Sequence, residues 1–272
     1  MIEDNYVDEL REMSDLADKI QDEKLKDDIQ QKIWVMFGPL LYAKYYVALK
    51  EDEIDFDNFK EAIKPAAEEF QSVDAMMFLG HDAYNHKDYE NAKKYFELAA
   101  KVGYPVANNN LAALYMEGEG VEKDYDKARE YAEKAAEKGV GSAMDIMGHL
   151  YENGWGVKKD LKKALQWYEE GSKAGFVDAT YNAAMLIHNA SKGREDDIKS
   201  AMLLQEAAAR IFKPAMTKLA FFYMEGIGVK KDLGYARLWL DRADADDEEV
   251  KTLDKKLKQL EKRKRTGSGK MA

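Results

Sequence analysis

The chain offers little from which a reaction centre can be built. It has four histidines, no cysteine, and no evident grouping among its 52 acidic side chains. The absence of thiols removes thiolate zinc sites, iron–sulfur clusters, disulfides and cysteine nucleophiles together. His81 and His86 stand five residues apart, whereas two ligands on one helix face need a spacing of three or four. His149 and His188 have no ligating neighbour in sequence, so no metal is expected. The run Glu51 to Phe59 imitates the second half of a calcium-binding loop. Its register puts Val47 and Leu49 at the first ligand positions, Asp52 at the required glycine and Asn58 at the bidentate glutamate. An acidic helix–helix loop is the better account. Gly267-Ser268-Gly269-Lys270 ends like a phosphate-binding loop, but lacks the preceding glycine, the strand leading in and the helix leading out. With no nucleophile–base pair and no isolated carboxylate pair, the expectation is no catalytic residue, no cofactor and no enzyme.

Composition points to a partner-binding protein. Of 272 residues, 46% are hydrophobic and 35% charged, with a net charge of −10. Residues 1–74 carry a net of −11, residues 75–249 a net of −6, and residues 250–272 a net of +7. An acidic surface repels a phosphate backbone, so nucleic-acid binding is not expected. The basic run Lys262-Arg263-Lys264-Arg265 suits a nuclear-import or anion-binding signal. It also complements a helix that begins with Asp246, Asp247, Glu248 and Glu249, as the helix dipole favours. The acidic start, Met1 to Asn5, has neither the basic nor the apolar part of a signal peptide. The most apolar run, Ile33 to Leu49, is 17 residues long and is broken by Gly38-Pro39, short of the ~20 residues a spanning helix needs. A cytoplasmic protein is expected, with a nuclear location open to a eukaryotic chain. Its oligomeric state is not specified by these features.

The elements that must carry any site emerge from an internal repeat. Ala75, Ala107, Ala143, Ala179 and Ala215 are spaced by 32 and then three times by 36 residues. An apolar–small pair follows each: Leu79-Gly80, Leu111-Ala112, Met147-Gly148, Ala183-Ala184 and Leu219-Ala220. A second series, Ala92, Ala128, Ala164, Ser200 and Ala236, is trailed three residues later by Tyr95, Tyr131, Trp167, Leu203 and Trp239. Each unit reads as two helices. The first ends at a glycine loop such as Gly118-Glu119-Gly120, where the left-handed backbone suits glycine. The second opens on a capping aspartate in one recurring slot: Asp88, Asp124, Asp160, Asp196 and Asp232. It closes at Gly103, Gly139 and Gly175, with Ile211 departing from that pattern. A unit of this size cannot bury its apolar face alone, so the units must stack.

Leu111 to Asp124, Met147 to Asp160 and Phe222 to Asp232 resemble the Sel-one-like repeat, a relative of the tetratricopeptide repeat. The resemblance covers roughly residues 75–249. The first unit lacks the glycine loop, and the fourth replaces it with Ala190-Ser191-Lys192-Gly193. The resemblance implies an all-α, right-handed α-solenoid of stacked helix–turn–helix repeats with helical caps. Residues 1–44 then form N-terminal capping helices, with Leu10, Met13, Leu16, Ala17 and Ile20 at helical spacing. Residues 45–74 form a degenerate unit, 250–265 a C-terminal capping helix bearing Val250, Leu253, Leu257 and Leu260, and 266–272 a flexible tail.

The resemblance also implies a protein–protein interaction scaffold or adaptor that binds a peptide or protein on the concave face made by the first helices. Alternatives are a regulatory subunit or a host-interaction factor, and, further off, an anion binder acting through the basic tail. Carried over unit by unit, the concave set is Met77, His81, Tyr84 and Asn85, then Asn109, Met116 and Glu117. Asp145, His149, Glu152 and Asn153 follow, then Tyr181, Met185, His188 and Asn189, and lastly Phe221, Met224 and Glu225. The acidic balance makes a basic or mixed partner the better complement.

Overall fold

The computed structural model describes residues 38, 39, 41–43, 45–50 and 55–268, with side chains described as far as 263. The expected N-terminal capping positions up to Ile20, residues 51–54 of the acidic loop and Gly269-Lys270 lie outside the described residues. Among the described residues every regular element is helical and no strand occurs. The chain divides into two compact units between Ala135 and Ala136.

In the first unit, helical residues among 38–50 precede α1 (Phe56–Glu68), α2 (Val73–Asn85), α3 (Tyr89–Lys101), α4 (Pro105–Glu117) and α5 (Tyr125–Ala136). Consecutive helices from α1 to α4 pack on one another. Leu41, Tyr45, Phe59, Ile63 and Phe70 share one core with Met76, Leu79 and Tyr95. The segment 45–74 thus contributes a helix and its apolar face to the first core.

The second unit holds α6 (Gly141–Asn153), α7 (Leu161–Lys173), α8 (Val177–Asn189), α9 (Arg194–Ala209), α10 (Lys213–Glu225), α11 (Leu233–Leu240) and α12 (Glu248–Ser268). Consecutive helices again pack pairwise, the pattern of an α-solenoid. Val250, Leu253 and Leu257 of α12 are buried in one cluster with Leu219, Phe222 and Leu240. This helix continues to Ser268, three residues beyond the expected end at 265.

Local chemistry repeats with the sequence. Ala75, Ala107, Ala143, Ala179 and Ala215 are all fully buried. Where the pair residue is glycine, an aromatic ring of the second helix lies on it. A Cβ on Gly80 would stand 2.6 Å from Phe96 Cε1, and one on Gly148 would stand 2.3 Å from Tyr168 Cε1. In the Ala184 and Ala220 repeats, Leu204 and Leu240 occupy the equivalent buried positions and share a cluster with those alanines, and in the Ala112 repeat the position is the buried Ala132. The ring that meets the glycine belongs one residue after the Tyr95 and Trp167 series: Phe96 and Tyr168 lie on Gly80 and Gly148, whereas Tyr95 is buried in the first core.

Three loops close identically. Gly118, Gly154 and Gly226 adopt left-handed backbone with φ of 76°, 75° and 81°. Their amides donate to Leu114, Leu150 and Phe222 carbonyls at 2.8, 2.9 and 2.7 Å. Further on, the amides of Asp124, Asp160 and Asp232 each donate to a first-helix carbonyl at 2.9 Å, at Tyr115, Tyr151 and Tyr223. The aspartate side chains then accept from the next helix's free amides, as a cap must. Asp88 caps α3 in the same way. Asp196 does not. The fourth unit's shorter loop lets α9 begin at Arg194, so Asp196 lies in its first turn and accepts backward from the Lys192 amide at 2.9 Å.

Candidate interaction surface

The first helices α2, α4, α6, α8 and α10 present one register of side chains in each repeat. In the first unit this register lines two adjoining hollows that share His81 and Asn85. One, of about 360 Å³, is walled by Tyr42, Phe56, Asp74, Met77, Phe78 and Tyr104 among others. The second, of about 340 Å³, is lined by Tyr84, Phe96, Asn110 and Ala113. Asn110 Nδ2 donates to His81 Nε2 at 2.8 Å, joining α4 to α2. The His81 ring meets Phe96 edge to face at 5.4 Å. Burial lowers the His81 pKa, which favours the neutral ring that accepts this hydrogen bond. Beside it, the Glu119 carboxylate accepts from Tyr89 Oη at 3.0 Å. Its hydrogen bond to Tyr84, followed by burial, pushes the Tyr84 phenol up to about 12.

In the second unit the same register forms a polar chain. Asn182 Nδ2 donates to Asp145 Oδ1 at 2.8 Å and to His149 Nε2 at 3.3 Å. Tyr168 Oη donates to Glu152 Oε2 at 2.6 Å, which leaves its oxygen to accept from His149 Nδ1 at 3.0 Å. His149 Nε2 also lies 3.4 Å from Asp145 Oδ2, so the one imidazole is contacted by Asp145, Asn182 and Tyr168 together. Burial first, and then Glu152, push the Tyr168 phenol up, so its proton stays in place for the chain.

Of the expected residues, His81, Tyr84, Asn85, Glu117, Asn153, Asn189 and Glu225 are exposed on their helices. Met77, Asn109, Met116, His149, Glu152, Tyr181, Met185, His188 and Phe221 are half-buried. Two are buried. Asp145 is turned inward to Asn182 and His149. Met224 is fully buried in the cluster that also takes up Leu253 and Leu257 of α12, so it is not available to a partner. Tyr181 faces Phe212, with ring centroids 5.5 Å apart, and it is the next residue, Asn182, that reaches His149. Asn153 Nδ2 donates to the His149 carbonyl at 2.9 Å. Glu225 pairs with Lys256 of α12 at 2.6 Å, which lowers its pKa. Phe221 lies under the same lysine, 5.5 Å from its ring centroid. The Nδ1 atom of His188 is buried, 3.9 Å from Asp197 Oδ1.

Sequence reasoning missed Asn110, Asn182 and Tyr168. A signal for the asparagines existed, because each lies three residues after a repeat alanine, Ala107 and Ala179. Among the described residues no group of three or more acidic or histidine side chains is placed to hold a metal ion. No described helix is long and apolar enough to cross a membrane.

Stacked helix pairs at a 36-residue period, with closely matching loops, define an all-helical repeat protein. Residues 73–104, 105–140, 141–176, 177–210 and 213–243 match the Sel1 repeat, and the chain belongs to that family. Among solved structures it is similar to a Sel1 repeat protein from Oxalobacter formigenes, with 24% identity and a TM-score of 0.63. That match covers 75% of this chain and 81% of the other. It is also similar to a protective antigen of uropathogenic Escherichia coli strains displaying an SLR fold, with 24% identity and a TM-score of 0.65. There the match covers 87% of this chain but only 48% of the antigen. No curated protein matches the chain. Sel1 repeat proteins generally mediate protein–protein interaction, and the family is typically non-catalytic.

Proposed function

We propose that this chain is a non-enzymatic scaffold or adaptor that binds a peptide or protein partner on the face formed by its first helices. The observation that carries this reading is the register itself. Position by position, the first helices turn polar and aromatic side chains outward and link them between neighbouring repeats, His81 to Asn110 and His149 to Asn182. Side chains held this way enter a complex with little ordering left to lose. The acidic balance of the chain supports a basic or mixed partner segment.

Affinity capture with the full chain, compared with a Glu117→Lys, Asn153→Arg double variant, tests the proposal. Both residues are exposed on first helices, so the variant should melt like the parent. Loss of the captured partner supports the assignment. A partner retained at equal yield moves the binding surface to the second helices.

A further inference from the structure

We propose that the aromatic hollow at the start of α2 receives the guanidinium or ammonium group of an arginine or lysine from an extended basic partner segment. This deepens the reading that the first helices face a partner, and rests on it. Three rings stand close together in the wall. Phe78 lies 5.7 Å from Phe56 and 6.4 Å from Tyr42, and Tyr104 lines the same hollow. Phe56 and Tyr104 remain 44% and 36% exposed, a poor arrangement for rings whose only task is packing.

Asp74 supplies the charge. It is exposed on the first turn of α2, lines the same hollow, and pairs with no cation among the described residues. It is close enough to Tyr42 that its charge helps to raise that phenol's pKa, behind burial.

The chain already displays the chemistry once, at the edge of this hollow. Lys60 Nζ sits 5.1 Å from the Phe56 ring centroid, 3.5 Å from Asp82 and 3.0 Å from Asp57. Ring face plus carboxylate is the arrangement that recognises organic cations. Asp82 therefore has its cation, while Asp74, which lines the hollow together with Tyr42, Phe78 and Tyr104, offers the same elements to a cation from outside. The occupant is basic on charge grounds too, since residues 1–74 carry a net of −11. The hollow that shares His81 and Asn85 continues along α2 and gives an extended chain somewhere to run.

The test pans a phage-displayed random heptapeptide library on the full chain, then measures synthetic copies of the selected peptides by fluorescence anisotropy. Selected peptides are expected to share an arginine or lysine. Asp74→Asn, or citrulline in place of the peptide's arginine, should weaken binding at least fivefold, while Glu130→Gln, exposed on the second helix α5, leaves it unchanged. Tyr104→Leu, which keeps bulk and loses the ring, provides a second reading if Asp74→Asn melts early. Selected peptides without a shared basic residue, or bound equally well by both of these variants, overturn the inference. Peptides lost to Asn153→Arg but indifferent to Asp74→Asn and Tyr104→Leu overturn it and leave the broader scaffold reading standing. A library that yields no binder counts against both.

Discussion

Tyr168 lays its ring edge on Gly148, so close that a Cβ at that glycine would stand 2.3 Å from Cε1. The same phenol donates to Glu152 on the helix that carries the glycine. One contact thus sets the separation of α6 and α7 and holds the polar chain on their outer side. Gly148→Ala should cost ~1–3 kcal/mol by overpacking. Combining it with Tyr168→Leu recreates the alanine–leucine pairing of Ala184 and Leu204. The double variant should therefore be more stable than the sum of the two single losses implies. Strict additivity in denaturant melts would show that the ring and the glycine are not coupled.

Ile211 holds a left-handed backbone, φ 64°, at the position where Gly103, Gly139 and Gly175 end the equivalent helices. A β-branched residue pays for that conformation, by ~1–2 kcal/mol, and here it recovers little, because Ile211 is 72% exposed. Ile211→Gly should raise the melting temperature by a few degrees. An unchanged or lower value would mean that the strain is relieved elsewhere.

Two glycines, one closing a second helix and one in a loop between helices, separate conformational freedom from space. Gly103 and Gly228 both have positive φ, 89° and 63°. Around Gly103 nothing lies within 4 Å of an added Cβ, whereas at Gly228 that atom would stand 2.0 Å from the Asp197 carbonyl oxygen. Gly103→Ala should cost ~1 kcal/mol, from the backbone alone. Gly228→Ala should cost at least ~2 kcal/mol more, because backbone must move. Equal losses in thermal melts would contradict the loop packing.

Arg237 is held by Asp254 and, at 3.3 Å, by Glu261, which ties α11 to α12. Arg237 first and then Lys258 hold the Asp254 carboxyl below its usual range. A depressed carboxylate stabilises the fold above its unfolded pKa of ~3.9 and loses that contribution as pH falls through its folded value. Asp254→Asn should therefore cost something under ~1 kcal/mol at neutral pH, given partial exposure. The gap to the parent should close on acidification toward pH ~2. A gap that stays constant with pH would assign the loss to packing.

The repeat was legible in the sequence because close helix packing demands small residues at fixed intervals, and Ala107, Ala143, Ala179 and Ala215 satisfy that demand without exception. Loop endings were legible for a similar reason, since Gly118, Gly154 and Gly226 occupy backbone that other residues resist. Direction within a helix face was less so. Met224 was expected to face a partner, yet it lies in the cluster that α12 completes, and burial there depends on a helix outside its own repeat. Tyr181 and Asn182 are neighbours on one helix, and the structure turns Tyr181 to Phe212 and Asn182 to His149. Asp196 failed as a cap because the turn before it is one of a kind, with no sister loop to calibrate it.

Two kinds of fit thus hold these repeats, and they pass differently through gene duplication. Gly148 and Tyr168 reside in the same 36-residue stretch, so a copied cassette carries lock and key together. Gly120 meets Tyr89, and Gly228 meets Asp197, each in the preceding repeat. That second fit is inherited only when the upstream neighbour is copied too, which makes the order of these repeats, and not merely their number, a heritable property of the chain.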